Sequence, residues 1–331
     1  MKPIIAVVMG GYSSELEISL QSGNVVYNHL SKLKFTPFKV HILKDKWVAL
    51  DSENKEFNID KNDFSFTDAS GSKIRFDAVF NAIHGAPGED GPLAGYLDLI
   101  EVPQTASGHF ESALTFNKAE CSLLLKGQGI TIAEAYYLAK HEDYNTDEII
   151  DKVGLPCFVK PNRSGSSIGI SKVNKAEDLK AAISVAFAVD SQIIIEAMVA
   201  GIEVGCGVSN HSGKIEAIAV TDIVPQNDFF DYESKYSGQS EEFTPARIPK
   251  DAYQQILEES AFIYESLNLN GLTRIDYIVT ENGVPFFIEV NTVPGLSNES
   301  ILPKQAEYAG ISLSELFDSC VERILSGNVS K

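Results

Sequence analysis

Residues 271–295 read GLTRIDYIVTENGVPFFIEVNTVPG, and this stretch decides the organisation of the C-terminal part of the chain. Two runs rich in β-branched and aromatic residues, LTRIDYIVT and VPFFIEVN, lie on either side of Asn282-Gly283. Asn-Gly is the dipeptide most typical of a two-residue hairpin turn. The stretch therefore predicts an antiparallel β-hairpin.

The polar residues of this hairpin fall on one face. A two-residue turn sets Asp276 directly opposite Glu289. By the same count, Arg274 lies opposite Asn291, and two apolar residues follow on this face nearer the turn, Ile278 and Phe287. Two carboxylates that face each other across a ladder repel unless a cation lies between them. Because Asp, Glu and Asn oxygens are hard ligands, the hairpin predicts a Mg²⁺ site.

A plain surface hairpin is the alternative, with Asp276 and Glu289 solvated separately. The segment that follows, Asn291-Thr-Val-Pro-Gly295, is more typical of a functional loop than of a simple strand exit. We therefore favour the metal site. We expect Asp276 to be a solvated ligand that contributes little to the core.

Composition and charge limit the class of protein. The chain has 331 residues, 44 % of them hydrophobic, which is enough for a large core and two or three domains. Its formal net charge of −19 argues against a nucleic-acid binder, and a local cluster of Lys and Arg must meet any anionic substrate. No apolar run approaches the ~18 residues of a membrane span, and the first run is too short for a signal peptide. The spacing of the cysteines predicts a reducing cytoplasm and no zinc site: Cys121, Cys157, Cys206 and Cys320.

The N-terminus has the pattern of an α/β unit. Pro3–Met9 is a predicted buried strand, and a glycine pair follows it. Ser14 and Glu17 fit a capping box, which predicts a helix that runs to about Leu30. Strand, glycine turn and helix are the opening of a parallel α/β sheet. Lys46–Arg75 is polar and predicts a hairpin excursion with variable loops.

A loop rich in glycine and serine follows another predicted strand. Lys160 ends the strand, and residues 162–169 read NRSGSSIG. Glycines let backbone N–H groups surround a phosphate, and a lysine adds a point charge. In a Walker A loop the lysine follows the glycines, so this is a different loop. Taken alone, this loop is also typical of an ordinary hairpin. Lys118, taken alone, is typical of a lysine on a solvated helix face.

Two glutamates bracket a short connection after a strictly apolar strand. Glu196 precedes Ala200-Gly201 and Glu203 follows it. A carboxylate accepts hydrogen bonds from a ribose diol, and the backbone of such a segment can read an adenine edge. The alternative is that Glu203 begins an exposed strand.

These features, taken in order, resemble the ATP-grasp superfamily: Lys118, Lys160 before the Gly/Ser loop, Glu196 with Glu203, Lys235, and Arg274…Asp276…Glu289-x-Asn291. Four motifs are similar to those of the D-alanine–D-alanine ligase family. They are Gly10-Gly-x-Ser-x-Glu-x-Glu-x-Ser-Leu20, His84-Gly-x-x-Gly-Glu-Asp-Gly91, Lys160-Pro-x-Arg-x-Gly-Ser-Ser167 and Glu289-x-Asn-Thr-x-Pro-Gly295. The resemblance covers nearly the whole chain apart from Lys46–Arg75.

The resemblance implies an α/β and α+β fold, in which an N-terminal Rossmann-like parallel sheet domain precedes a two-lobed ATP-grasp. The expected N-terminal domain is residues 1–106, and the central lobe is residues 107–197. Residues 198–331 would form the C-terminal lobe, which carries the metal hairpin and a lid loop, Pro225–Gln239.

The resemblance also implies the nucleotide and metal contacts. The implied ligands of two Mg²⁺ ions, for which Mn²⁺ can substitute, are Asp276, Glu289 and Asn291. The implied ATP contacts are the phosphate-binding Lys118, Lys160 and Lys235, Ser167 in the phosphate loop, Glu196 in the adenine hinge and Glu203 at the ribose.

The substrate contacts follow in the same way. Glu15 would bind the ammonium of a first D-alanine, and Ser166 and Tyr236 would complete a hydrogen-bonded triad with it. Ser300 would bind the carboxylate of a second D-alanine. The remaining implied contacts are Arg274 and the Gly295 N–H at the oxyanion, with His84 and Glu89 near the first substrate. For His84, a loop histidine with a structural hydrogen bond is the alternative.

The implied reaction is ATP-dependent ligation of two D-alanine molecules through an acyl phosphate, for peptidoglycan precursor synthesis, by a cytoplasmic homodimer. Two alternatives keep the architecture: a D-alanine–D-lactate or D-alanine–D-serine ligase, and another ATP-grasp carboxylate–amine ligase. A non-catalytic nucleotide-binding module is the third. Four residues differ from those frequent in the family, at positions that concern the lid and the surroundings of the site: Asn117, Ser122, Ser164 and Phe230.

Overall fold

The structure is a computed structural model that describes residues 2–225 and 240–327. The first of its three sheets has seven strands in the order β6-β5-β4-β3-β2-β1-β7. These are β1 (Ile4–Gly10), β2 (Thr36–Ile42), β3 (Trp47–Leu50), β4 (Glu56–Asp60), β5 (Ser65–Thr67), β6 (Lys73–Arg75) and β7 (Ala78–Asn81). The helices beside this sheet are α1 (Leu16–His29) and α2 (Pro92–Leu99).

The first sheet is mixed, whereas a parallel sheet was predicted. Only β2, β1 and β7 run parallel, and β3 to β6 continue from β2 as antiparallel strands. Short connections permit antiparallel pairing alone, since parallel strands need a long crossover. The predicted excursion at Lys46–Arg75 is therefore part of the sheet.

Helix α1 lies close to its predicted position. It begins at Leu16, but the predicted capping box is not formed, because Glu15 is the N-cap residue and makes no side-chain capping bond. Instead, Ser13 Oγ accepts a hydrogen bond of 3.2 Å from the Glu15 N–H. Glu15 therefore stands at the start of the helix with its carboxylate not used in capping.

The second sheet is antiparallel, in the order β10-β9-β11-β8. Its strands are β8 (Ala135–Ala139), β9 (Cys157–Pro161), β10 (Ser171–Val173) and β11 (Gln192–Ala197). The helices that precede or cover it are α3 (His109–Phe116), α4 (Lys118–Gly127), α5 (Thr146–Val153) and α6 (Leu179–Phe187), with a 3₁₀ turn at Ala176–Asp178.

The third sheet is also antiparallel, in the order β14-β13-β12-β15-β16. Its strands are β12 (Ile202–Ser209), β13 (Glu216–Pro225), β14 (Ser240–Phe243), β15 (Leu272–Val279) and β16 (Pro285–Asn291). The last helices are α7 (Lys250–Ser266), α8 (Ile301–Tyr308) and α9 (Leu313–Leu325). The three sheets fall inside the three predicted domains, whose boundaries stay a prediction.

The C-terminal helix returns to the first sheet. Residues 5–9 of β1 have no exposed surface. One side of this strand packs with α1 and α9, and the other with α2 and the antiparallel strands. The N-terminal and C-terminal parts of the chain therefore share a core. Within the described residues, no helix is both long and apolar enough to cross a membrane.

The β15–β16 hairpin pairs Asp276 with Glu289 as predicted, but its turn and the pairs next to the turn differ from the prediction. Thr280 and Val284 close a three-residue turn, which shifts the pairing by one residue. A β-bulge after Asp276 restores it, so Asp276 pairs with Glu289 as predicted. Between the bulge and the turn the prediction was wrong. There the pairs are Ile278 with Phe286 and Tyr277 with Phe287, whose rings pack in the core.

Gly271, just before β15, gives a test of the packing between the parts of the chain. Its φ is +72°, and an added Cβ would overlap the Thr105 carbonyl oxygen. Gly213 has a φ of +85° but no atom within 4 Å of an added Cβ. Gly213→Ala should therefore cost only backbone strain, about 1–2 kcal/mol. Gly271→Ala should lower the thermal unfolding midpoint clearly more, because backbone atoms must move apart. Equal losses, measured by circular dichroism, would contradict this close approach.

Candidate functional site

A cleft of about 490 Å³ brings together strand residues of the third sheet with residues from helices and loops of all three parts of the chain. The predicted site residues that line it are Glu15, His84, Glu89, Lys118, Ser166, Arg274, Glu289, Asn291, Gly295 and Ser300. Other predicted residues lie outside this lining: Lys160, Ser167, Glu196, Glu203 and Asp276. Lys235, Tyr236, Phe230 and the predicted lid lie outside the described residues, apart from Pro225.

Asp276 is buried, although a solvated residue was expected. It is 4 % exposed, and Arg274 donates to both carboxylate oxygens, from Nε at 2.7 Å and from its terminal nitrogen at 2.8 Å. Asn291 Nδ2 donates to the same carboxylate at 3.0 Å. This bidentate geometry holds the carboxylate in place, and Asn291 contacts it through its amide nitrogen, so the amide oxygen is not used in this contact.

Gly205 makes room for this pair. It lies opposite Asp276 on β12, and an added Cβ would be 3.0 Å from Asp276 Oδ1 and 3.1 Å from Arg274 Cδ. The sequence analysis did not single out this residue. Its signal was the Gly205-Cys206-Gly207 pattern inside a strand, since glycine in a strand interior indicates a close approach.

Glu289 pairs with a lysine from a different part of the chain. Lys118 Nζ lies 2.9 Å from Glu289 Oε2 and donates to the Ser164 carbonyl at 3.0 Å. Burial is the largest single influence and lowers the pKa of Lys118. The charge and the hydrogen bond of Glu289, with smaller contributions from other nearby acidic residues, together outweigh it, so the pKa is raised. Asn117 is the N-cap of α4 and directly precedes Lys118. Its Oδ1 accepts a hydrogen bond of 2.7 Å from Asn162 Nδ2, which holds the start of the helix, and with it the lysine, in place. Asn117, which differs from the family pattern, therefore ties α4 to the end of β9.

The Gly/Ser loop contacts the start of α1. Ser166 Oγ donates to Glu15 Oε1 at 2.5 Å, which is one arm of the predicted triad. Ser166 and Ser167 have φ values of +52° and +57°, a conformation that non-glycine residues adopt at a cost. An added Cβ at Gly165 would lie 2.8 Å from Glu15 Oε2, so the Glu15 carboxylate would have to move aside. Backbone strain in the loop thus accompanies its contact with Glu15.

The remaining predicted nucleotide contacts lie on the sheets. Lys160 on β9 and Glu196 on β11 form an ion pair of 2.5 Å. Glu203 pairs with Ile278 in the β12–β15 ladder, two positions from the pair that contains Asp276. Because alternate residues share a face, Glu203 lies on the same side of the sheet as Asp276.

His84 has protein partners at both ring nitrogens. Nδ1 is 2.7 Å from the Val293 carbonyl, which only accepts, so Nδ1 carries the proton. Nε2 is 2.9 Å from Ser22 Oγ, which in turn accepts 3.0 Å from the Leu296 N–H. Burial lowers the pKa of His84. This geometry favours the structural alternative, in which His84 holds the segment that contains Gly295.

Glu89 lies beside His84 in the wall of the cleft. The Gly85 N–H donates to Glu89 Oε2 at 3.0 Å. Burial, and then the charge of Glu15, raise the pKa of Glu89 to about 8. Because Glu89 is protonated at neutral pH, Glu15 has an uncharged carboxyl group near it and not a second carboxylate.

Gly295 and Ser300 meet at the start of α8. Ser300 is the N-cap residue but its side chain makes no capping bond, and its Oγ lies 2.8 Å from Ser297 Oγ. An added Cβ at Gly295 would be 2.6 Å from Ser300 Oγ. A helix N-terminus with a hydroxyl beside it favours an anion. Three further charged residues line the cleft and carried no sequence signal, Glu242, Glu299 and Lys304.

Comparisons with known proteins match this chain over nearly its whole length. The family model described as D-ala D-ala ligase N-terminus matches residues 4–107, and D-ala D-ala ligase C-terminus matches residues 124–322. A D-alanine–D-alanine ligase of Flavobacterium johnsoniae is 52 % identical over 97 % of this chain and 99 % of its own length.

Two solved structures share the fold. The VanG D-Ala:D-Ser ligase of Enterococcus faecalis has a TM-score of 0.85 and 31 % identity, over 97 % of this chain and 99 % of that one. A D-alanine–D-alanine ligase of Bacillus anthracis complexed with ATP has a TM-score of 0.77 and 28 % identity, over 98 % and 99 %. The chain is thus similar to ligases over nearly its full length.

His84→Gln should reduce the loss of stability in acid. Since the pKa of His84 is lowered in the folded state, the unfolded state binds a proton first as pH falls through about 6.5. The free energy of unfolding of the unmodified protein therefore falls over this range, and the variant should lose less. Thermal midpoints from about pH 7.5 to about pH 5 measure the slope. His141→Gln, at an exposed position, is the control. Equal slopes for all three proteins would contradict a buried neutral His84.

Proposed function

The chain belongs to the D-alanine–D-alanine ligase family, and we propose that it joins two D-alanine molecules into D-alanyl-D-alanine with consumption of ATP, for peptidoglycan precursor synthesis. One observation carries the proposal. A single cleft holds an acidic group for an ammonium, Glu15, and an anion-binding helix start at Ser300. Arg274 and Glu289 of the β15–β16 hairpin line the same cleft. Such a cleft suits two small amino acids placed head to tail beside a phosphate.

The substrate roles follow from the positions in the cleft. Glu15, oriented by Ser166, binds the ammonium of the first D-alanine. Ser300 binds the carboxylate of the second, where the partial positive charge of α8 adds to the hydroxyl. Arg274 and the Gly295 N–H stabilise the negative charge that develops on the carbonyl oxygen between the two. His84 is proposed as the residue that positions Gly295, and Tyr236 as the third member of the Glu15 triad.

The residues of the hairpin fit a divalent cation that is shared with a substrate. Within residues 2–225 and 240–327, no group of three or more His, Cys, Asp or Glu side chains could hold a metal alone. Mg²⁺ needs no such cage, since one or two carboxylates, water and substrate phosphates satisfy it. Asp276, Glu289 and the Asn291 oxygen offer hard donors on one face. They would hold two Mg²⁺ ions, or Mn²⁺, which when bound neutralise phosphate charge.

The nucleotide contacts are proposed along the inner faces of the second and third sheets. Lys118 and Lys160 supply positive charge for phosphates, together with Lys235 and the backbone at Ser167. Glu203 accepts hydrogen bonds from the ribose, and Glu196 lies in the segment beside the adenine. The ion pairs of Lys118 with Glu289 and Lys160 with Glu196 support these roles, because they hold both ammonium groups in defined positions.

The reaction needs little covalent work from the protein. The carboxylate of the first D-alanine attacks the γ-phosphate of ATP, which gives an acyl phosphate and ADP. The amine of the second D-alanine then attacks the acyl carbon, and phosphate leaves. Positioning by Glu15 and Ser300 and the cations around the hairpin supply most of the rate. A cytoplasmic homodimer is expected from the family resemblance.

D-serine as the second substrate is a second candidate. The likeness to the D-Ala:D-Ser ligase VanG at 31 % identity favours testing it. The two dipeptide products differ by one hydroxyl group on the second residue. Measuring turnover with each second substrate therefore distinguishes the two functions.

Product analysis tests the proposal. ADP release with Mg²⁺-ATP is measured for D-alanine, L-alanine, D-serine and D-alanine plus D-lactate, and products are identified by mass. We expect D-alanine alone to give the dipeptide with one ADP per bond. A mixed product with D-serine or D-lactate would reassign the second substrate. ATP binding without turnover would contradict the ligase function.

Asp276→Asn should lower turnover by roughly 10²-fold or more, since it removes a charge that holds a cation and Arg274. It should also raise the Mg²⁺ concentration needed for half-maximal ADP release. Asp222→Asn is a matched control, because Asp222 is 1 % exposed and accepts 3.0 and 2.7 Å hydrogen bonds from Arg247. Both variants should lose similar thermal stability, and Asp222→Asn should keep most turnover. An equal loss of turnover in both would contradict a special role for Asp276.

A further inference from the structure

An ion pair lies in the wall of the cleft near Ser300, apart from the two pairs of the hairpin. Lys304 Nζ is 3.1 Å from Glu242 Oε2 and 3.7 Å from Glu299 Oε2. The Glu242 side chain is 15 % exposed, whereas that of Glu299 is 92 % exposed. Glu242 is therefore the partner that counts, since solvent screens the contact with Glu299.

The position of Lys304 puts its charge beside Ser300. Ser300 is the N-cap of α8, and Lys304, four positions later, donates its N–H to the Ser300 carbonyl at 3.5 Å, so the two residues lie on the same side of the helix start. Both line the cleft, as does Glu242 on β14. The first turn of α8 has no acidic residue. A cation in a first turn is disfavoured by the helix dipole, so Glu242 rather than the helix stabilises it.

The other cations in the lining already bind the hairpin carboxylates. In the described part of the chain the cleft has three such side chains, Lys118, Arg274 and Lys304. Lys118 contacts Glu289 and Arg274 contacts Asp276. A carboxylate that enters at Ser300 would therefore find Lys304 as its nearby cation on the same helix.

We propose that Lys304 binds the carboxylate of the second amino acid together with Ser300, and that Glu242 competes with this carboxylate for the lysine. The inference rests on the proposed function and adds two residues that set the affinity for the second substrate. When the cleft is empty, Glu242 holds the lysine. When the second substrate arrives, its carboxylate takes over part of that contact.

A purely structural role for the pair makes a different prediction. If the ion pair only ties β14 to α8, loss of either partner should have the same effect. In the competition proposed here the two losses have opposite effects. Without Lys304 the second substrate loses a charge-assisted hydrogen bond. Without the Glu242 charge, Lys304 is released to the substrate.

The experiment is a fit of dipeptide formation against D-alanine concentration at saturating ATP, with separate KM values for the first and second D-alanine. Lys304→Met should raise the second KM roughly tenfold. Glu242→Gln should lower it by about two- to fivefold. The first KM and the KM for ATP should stay near those of the unmodified protein. Lys304→Arg keeps the charge and should recover most of the affinity.

Glu307→Gln is the control for charge. Glu307 is exposed on the same helix, outside the cleft lining, and the change in charge equals that of Glu242→Gln. This variant should leave both KM values unchanged. Thermal midpoints show that each variant is folded.

The outcomes separate the two proposals. A second KM that rises in both Lys304→Met and Glu242→Gln, or moves in neither, would overturn the inference while dipeptide formation upholds the ligase function. If the unmodified protein forms no dipeptide from ATP and D-alanine, the proposed function is wrong and the inference falls with it.

Discussion

The compensation of buried carboxylates by cations is the constraint on which the rest of the site depends. A carboxylate removed from water is costly unless a cation and hydrogen bonds replace the lost solvation. Asp276 meets this need within the hairpin through Arg274, but Glu289 takes Lys118 from a helix that precedes the second sheet. Lys118 also donates to the Ser164 carbonyl in the Gly/Ser loop. This one ammonium group therefore connects helix α4, the Gly/Ser loop and the β15–β16 hairpin.

Contacts from the N-terminal part of the chain also hold the residues of the cleft in position. Helix α1 supplies both Glu15, which Ser166 contacts, and Ser22, which His84 links to Val293. Both contacts connect residues far apart in sequence. Helix α1 is itself held in place because it shares a hydrophobic core with β1 and α9. The positions of acidic and anion-binding groups in the cleft are thus fixed by a shared core as well as by local loops.

Local pattern and observed geometry differ most clearly in the β15–β16 hairpin. The prediction that Asp276 faces Glu289 was right although the turn was wrong, because a longer turn and a β-bulge cancel. Between these two features the cross-strand partners shift by one, and Phe287 therefore lies in the core. A bulge depends on how a strand packs, which a count of residues from the turn cannot contain. The burial of Asp276 was also missed, because it depends on the neighbouring strand β12, where Gly205 lies opposite Asp276 and leaves room for its side chain.

The sequence by itself determined the family and the expected ligase chemistry, and it predicted several of the residues that line the cleft. The family and the ligase assignment are confirmed by the comparisons, because short motifs record which side chains and glycines a site needs. The tertiary structure alone decided which carboxylate meets which cation, that both nitrogens of His84 are used, and that Glu242 reaches Lys304. Those contacts join residues from separate strands and helices. The free energy of such a contact depends on distance and burial in the folded chain, and neither quantity is written in a local pattern.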